Sequence, residues 1–247
     1  MPRMKSKAKK KQQKRSWHKI LYTVLVSLFI ILLLIIFLGK KGHKGIDISH
    51  HQGKIDWEQV VTESDVEFVY IKATEGVNYT DKLYLHNRNQ AKQHGLPVGP
   101  YHFFRADKPG GEQFLHFAEV IGNDFDLIPV LDLEELGGKI TDKTKYREEV
   151  QTFISMFNAR YGFNPIVYGS HSFMKDYVYP VAEDCDYWLA WYTPLAKAIR
   201  DKRRFINNAR PRLHPRIWQY SDKGKITGIS EYVDLDECWE IKDILVK

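Results

Sequence analysis

The chain opens on two contrasting patterns. Ile20 to Leu38 is an almost unbroken apolar run, interrupted by Thr23 and Ser27. From Gly45 onward, short apolar runs rich in β-formers alternate with amphipathic segments. The runs predict strands at Gly45–Ser49, Glu67–Ala73, Pro97–Phe104, Leu127–Glu134, Pro165–Gly169, Tyr187–Trp191 and Arg216–Tyr220, with a short one at Tyr232–Leu235. The amphipathic segments predict helices at Trp57–Glu63, Lys82–His94, Gly111–Ile121, Lys143–Tyr161 and His171–Val178. Gly95 and Gly162 stand where helices end, and Pro97 and Pro165 open the strands that follow. Strands alternating with helices imply a parallel sheet with helical crossovers, and about eight of them suggest a barrel of the (β/α) class. Residues 194–213 are basic and irregular, so the barrel is expected to be incomplete or distorted in its last third.

The N-terminal run is long enough to matter by itself. At about 1.5 Å per residue it spans roughly 28 Å, close to a bilayer core of roughly 30 Å. A cleaved signal peptide has a shorter apolar stretch and a small-residue cleavage site. Here Gly39, Lys40, Lys41 and Gly42 follow, with no A-x-A pattern. The expected organisation is a basic cytoplasmic tail (residues 1–19), a transmembrane helix (20–38), a linker (39–44) and one barrel domain (45–247). The positive-inside rule keeps the tail in the cytoplasm and puts the barrel outside the cell membrane. A six-residue linker reaches only about 20 Å, which keeps the domain near the bilayer. No internal repeat, second domain or wall-binding module is expected.

Charge changes the picture once it is divided. The chain carries 37 basic and 31 acidic residues, a net +6. Nine of the basic residues lie in the first 19 positions, which hold no acid; the remainder has 28 basic and 31 acidic residues, or −3. The basicity is therefore a property of the membrane-proximal tail, and a nucleic-acid partner loses its support. Two cysteines, Cys185 and Cys238, are compatible with a disulfide in such a compartment or with two separate buried thiols. A bridge would close a loop of about 53 residues and add roughly 3–4 kcal/mol.

Candidate chemistry centres on Ile128-Pro-Val-Leu-Asp-Leu-Glu-Glu135. Residues two apart in a strand share a face. Val130, Asp132 and Glu134 then face one way, while Leu131 and Leu133 pack under helices. That puts two carboxylates about 7 Å apart inside the barrel, near the C-terminal mouth where such barrels hold their active sites. Their repulsion favours one protonated acid beside an ionised partner. A lone D-x-E often only caps a helix or binds a lysine. Asp47 at the end of the first strand and Asp234 at the last alter that balance, because first and last strands adjoin in a closed barrel. Tyr70, Tyr101, Phe103, Tyr168, Trp188, Trp191, Trp218 and Tyr220 stand at the same strand ends. Aromatic faces beside paired carboxylates suit sugar rings and glycoside hydrolysis.

Seven segments then appear in order: Gly45-Ile-Asp-Ile-Ser-His-His-Gln-Gly53, Phe68-Val-Tyr-Ile-Lys-Ala-Thr-Glu-Gly76, Gly99-Pro-Tyr-His-Phe-Phe104, Pro129-Val-Leu-Asp-Leu-Glu134, Trp188-Leu-Ala-Trp-Tyr192, Ile217-Trp-Gln-Tyr220 and Gly228-Ile-Ser-Glu-Tyr-Val-Asp-Leu-Asp236. Together they resemble the glycoside hydrolase family 25 lysozymes, the Chalaropsis-type muramidases. The resemblance runs from Gly45 to about Trp239. It implies an irregular, flattened α/β barrel related to the TIM barrel. It also implies hydrolysis of the β-1,4 bond between N-acetylmuramic acid and N-acetylglucosamine in peptidoglycan glycan strands. By motif, Glu134 is the general acid, Asp132 its neighbour, and Asp47 and Asp234 complete the pocket. Tyr70, Tyr101, His102, Phe103, Tyr168, Trp191, Trp218 and Gln219 are the expected substrate contacts. His50 after Ser49 and the ending Asp-Leu-Asp236 are mild departures.

Ten histidines include His50-His51 beside Asp47, but no H-x-x-x-H spacing is present, so neither a metal nor another cofactor is expected. Asn78-Tyr79-Thr80 is a glycosylation sequon only on a eukaryotic secretory route. Lys202, Arg203 and Arg204 suggest a solvated surface run. A non-catalytic peptidoglycan-binding or scaffold protein using the same groove is the alternative to an enzyme, and the intact acids argue for the enzyme.

Overall fold

The computed structural model describes residues 17–30, 42–192 and 215–246. Residues 17–30 form helix α1. Among the described residues no helix is long and apolar enough to cross a membrane. Residues 31–38 of the expected span, the tail before residue 17, the first half of the linker (39–41) and the basic stretch with Lys202, Arg203 and Arg204 lie outside the described residues. The chain divides into two compact units after Lys41.

In the second unit the strands are β1 (His43–Ile48), β2 (Val66–Glu75), β3 (Tyr79–Thr80), β4 (Val98–Phe103), β5 (Val130–Asp132), β6 (Ile166–Ser170), β7 (Tyr187–Ala190), β8 (Ile217–Gly224) and β9 (Val233–Cys238). β1 begins at His43, so the last two residues assigned to the linker are already strand. Between the strands stand α2 (Trp57–Glu63), α3 (Tyr84–Gln93), α4 (Gly110–Ile121), α5 (Lys143–Tyr161) and α6 (His171–Phe173), which runs on as one π-helical turn to Val178. α2 and α5 match the predicted bounds because both ends are marked in the sequence. Asp56 and Asp142 accept backbone N–H bonds from the first turns, and Gly162 ends α5 in the left-handed conformation at φ 81°.

The sheet closes. β1 pairs with β2 on one side and with β9 on the other, and the remaining order is β9-β8-β7-β6-β5-β4-β2. Pairings from β1 through β8 are parallel where the helices cross over, the two-residue β3 returns antiparallel on β2, and β9 runs antiparallel to both β8 and β1. This corrects the expectation of an all-parallel sheet. No helix lies between β8 and β9, and a connection without a crossover can only return the chain antiparallel.

Two apolar layers result. Phe68, Tyr70, Leu127, Val130, Ile166, Trp188, Ile217 and Cys238 fill the barrel below its mouth, with Ile244 from the C-terminal segment. Val69, Ile71, Leu131, Leu133, Val167 and Leu189 point outward and pack with Phe114, Phe117, Phe153 and Phe157 of the helices. The two cysteines are free and buried. Cys185 belongs to the outer layer and Cys238 to the inner one, so the reading as separate thiols holds and the bridge does not. α4 and α5 touch at Gly110, where an added Cβ would lie 1.9 Å from the Glu149 carbonyl oxygen.

Candidate active site

Alternation along the strands decides which side chains reach the barrel mouth. On β5 and the extended residue after it, Val130, Asp132 and Glu134 line a cleft of about 500 Å³, while Leu131 and Leu133 are wholly buried in the outer layer. On β4, Tyr101 and Phe103 line the same cleft. On β8 it is Gln219, on β6 Tyr168, and on β7 Trp188. Asp47, next to last in β1, pairs in register with Asp234, the second residue of β9. Because β9 is reversed, its first residues, not its last, reach the mouth. All four predicted acids therefore share one cavity.

Hydrogen bonds tie the floor together. Gln219 donates from Nε2 to Asp47 Oδ2 at 2.8 Å, and its Oε1 accepts from the Tyr168 hydroxyl at 2.8 Å and from the Tyr192 hydroxyl. An amide is suited to this place, since it donates to a carboxylate and accepts from phenols at once. A second cluster lines the opposite wall. Lys72 donates to Glu75 at 2.7 Å and lies over the Phe103 ring at 4.5 Å, and Arg105 approaches Glu75 at 3.4 Å. The β2–β4 register shifts between Lys72 and Thr74. That bulge lets Lys72 and Glu75, three residues apart, both face the cleft.

Four of the expected contacts lie elsewhere. His102 points outward between Tyr101 and Phe103. It is wholly buried, stacked on Phe153 at 5.2 Å and hydrogen-bonded to Thr74 at 2.7 Å and Gln113 at 3.2 Å. Burial pushes its pKa down to about 3, so it is a neutral core group. Tyr70 points inward but lies below the cleft, fully buried, with its hydroxyl donating to the Ile128 carbonyl at 3.2 Å. Trp218 alternates with Gln219 and so turns away; its Nε1 donates to the Trp191 carbonyl at 3.0 Å. Trp191 stands just past β7 and stacks on His171 at 5.5 Å. Neither indole lines the cleft formed by the described residues.

Electrostatics follow from burial. Asp47 is raised well above the ordinary carboxylate range by burial and then by Asp234 and Asp236. Burial and Glu134 do the same to Asp132, with Lys72 opposing. Glu134 is raised chiefly by burial, while the Tyr168 hydroxyl and Lys72 pull it back. Asp234 rises from its usual 3.8 to about 6 through burial, Asp222 and Glu134. A raised folded pKa favours the neutral form, so that stabilisation is present at low pH and is lost as pH rises from about 4 to about 6. Asp234→Asn is accordingly expected to raise Tm at pH 7 but not at pH 4. Thermal scans of the full-length chain at the two pH values check this; equal shifts at both would assign the effect to packing.

Sequence reasoning missed Lys72, Glu75, Arg105 and Asp236. Lys72 and Glu75 follow from the bulge, which no local pattern announces, and Arg105 reaches Glu75 from the segment after β4. Asp236 was legible: two residues after Asp234 on one strand, it shares that face.

Residues 46–229 match the model of the glycosyl hydrolases family 25. Asp234 and Asp236 lie just beyond that match. The autolytic lysozyme of Clostridium acetobutylicum is 36% identical over 197 residues, which is 80% of this chain and 56% of that protein. Lysozyme M1 of Streptomyces globisporus is 31% identical over 207 residues, 78% of this chain and 66% of the other. This chain thus spans between about half and two thirds of the length of these relatives. Among solved structures, the bacterial lysozyme from Streptomyces coelicolor superposes with a TM-score of 0.67 at 29% identity, covering 80% of this chain and 92% of that one. A family 25 glycosyl hydrolase from Bacillus anthracis gives 0.68 at 26% identity, covering 82% and 91%. The barrel with one reversed strand, the acids at its mouth and a family match across most of the domain lead to one conclusion: the chain belongs to the glycosyl hydrolases of family 25.

Proposed function

We propose that this protein is a peptidoglycan muramidase, cleaving the β-1,4 bond between N-acetylmuramic acid and N-acetylglucosamine. The observation that carries the reading is the convergence of Asp47, Asp132, Glu134 and Asp234 in one cleft with Tyr101, Phe103 and Tyr168. Glu134 acts as general acid. Its burial holds the carboxyl above the ordinary range, where a proton remains to be given to the leaving oxygen. Asp234, whose carboxyl rises only to about 6 and so is charged near neutral pH, supplies the negative field that an oxocarbenium-like transition state needs, with Asp132 and Asp47 beside it in the cleft. Tyr101 and Phe103 offer ring faces to sugar C–H groups. The names of the relatives, lysozymes in two bacterial genera, point the same way. Digestion of purified peptidoglycan by the full-length chain is the test. Release of soluble muropeptides is expected, and retention on the wall without release would favour a binding or scaffold role.

The same proposal places the enzyme at the cell membrane, spanning it once with its N-terminus in the cytoplasm. The support is the sequence: nine basic residues, then the apolar run Ile20–Leu38. The chain is expected to stay in the membrane pellet after alkaline carbonate washing, and external protease should release the barrel while leaving the tail protected. A soluble mature protein beginning near residue 40 would contradict the anchor.

A further inference from the structure

One of the expected substrate contacts does something else. Gln219, on β8, borders the cleft but is buried, with only 3% of its surface exposed. Asp47 lies two strands away round the barrel, on β1, with β9 between them. The Gln219 side chain crosses that gap, and its Nε2 donates to Asp47 Oδ2 at 2.8 Å. Its Oε1 accepts from two phenols, that of Tyr168 on β6 at 2.8 Å and that of Tyr192 just past β7. One amide therefore joins four segments at the barrel mouth.

An amide oxygen has two lone pairs, and here both are taken. No acceptor remains there for a sugar hydroxyl, so the amide serves the protein and not the substrate. With two O–H donors on the oxygen, only the N–H side of the amide is presented to β1. Phenols that donate to the oxygen also polarise the amide and strengthen its N–H as a donor. We infer that Gln219 is a positioning residue: its amide, anchored by Tyr168 and Tyr192, fixes the Asp47 carboxyl at the cleft floor with Oδ2 as acceptor. The surroundings of Asp47 make such a donor matter. Asp234 and Asp236 of β9 and Asp132 of β5 act with burial to push its carboxyl well up, and the Gln219 N–H pulls it back down. The phenols around it, Tyr101 on β4, Tyr168 and Tyr192, are raised and stay neutral. Lys72, on β2 in the same cleft, is paired with Glu75. Tyr192 is the outer anchor: its ring is 47% exposed and does not line the cleft formed by the described residues. Removing its hydroxyl disturbs the amide without altering the cleft wall.

This inference rests on the muramidase reading only where turnover is the readout, so its test has two arms. In the first, the full-length chain carries carboxyl-13C aspartate, and the Asp47 signal is assigned by its loss in Asp47→Asn. Gln219→Met keeps the length of the side chain and removes the amide. The Asp47 pKa is expected to rise by about one unit in that variant, because a hydrogen bond to the charged form is lost, and to rise by less in Tyr192→Phe. An unchanged pKa would overturn the inference whether or not the protein digests peptidoglycan. So would a fall, which would mean that the amide accepts from a protonated Asp47. The second arm separates kcat from KM in peptidoglycan digestion. Gln219→Met is expected to lower kcat about tenfold and Tyr192→Phe about threefold, with KM within about twofold of wild type in both. A raised KM at unchanged kcat would make Gln219 a substrate contact and overturn its assignment. Should Gln219→Met fail to fold, Tyr192→Phe decides both arms by itself.

Discussion

Replacing Glu134 with Gln is expected to lower the rate of peptidoglycan digestion by about 10²–10⁴-fold, equivalent to roughly 3–5 kcal/mol of barrier. The substitution keeps the shape and removes the titrating proton. Glu134 stands in extended backbone at φ −134° and ψ 162°, just after β5, so its direction is set by the strand and not by a mobile loop. Its carboxyl is raised above the ordinary range chiefly by burial. Wild-type digestion should therefore fall off on the basic side as that proton is lost, and the basic limb should vanish from the residual activity of Glu134→Gln. Stability at neutral pH should be unchanged or higher, since a buried charge that repels Asp132 and Asp234 is gone. A variant digesting at near wild-type rate would move the acid role to Asp47 or Asp234.

Phe153→Ala is expected to cost about 3–5 kcal/mol of stability. Phe153 is wholly buried on α5 and packs against His102, Phe104, Phe114 and Phe117, with ring centroids 5.2 to 6.2 Å away. It joins the helical layer to the back of β4, the strand whose other face presents Tyr101 and Phe103. At about 2–4 °C per kcal/mol for a domain of this size, Tm should fall by roughly 6–20 °C. Below its own melting range the variant should digest peptidoglycan within about twofold of wild type, because the cavity opens on the far side of the sheet. A loss under about 1 kcal/mol would mean that the aromatic layer closes around the gap.

What could be read from the sequence depended on how local its cause was. α5 was legible to the residue, with Asp142 capping one end and Gly162 terminating the other. The pairing of Asp132 with Glu134 was legible from strand alternation alone. Applied consistently, the same alternation would have corrected three other readings. If Tyr101 and Phe103 face inward, His102 faces outward; if Gln219 faces inward, Trp218 does not; and Asp236 shares the face of Asp234. The case of Tyr70 is different, because it points inward yet lies too deep, and depth along a barrel depends on stagger between strands. The reversal of β9 required noticing that no helical segment separates it from β8. Lys72 and Glu75 came to one wall through a bulge in β2 that their spacing does not reveal.

The central claim is the bond that is cut. Purified peptidoglycan should be digested with the full-length chain and the products reduced with borodeuteride, so that mass analysis identifies each new reducing end. Cleavage as proposed predicts reduced N-acetylmuramic acid at every new end, with the products absent when Glu134→Gln is used at equal concentration. Reduced N-acetylglucosamine at the new ends, or intact glycan strands after prolonged digestion, would contradict the account.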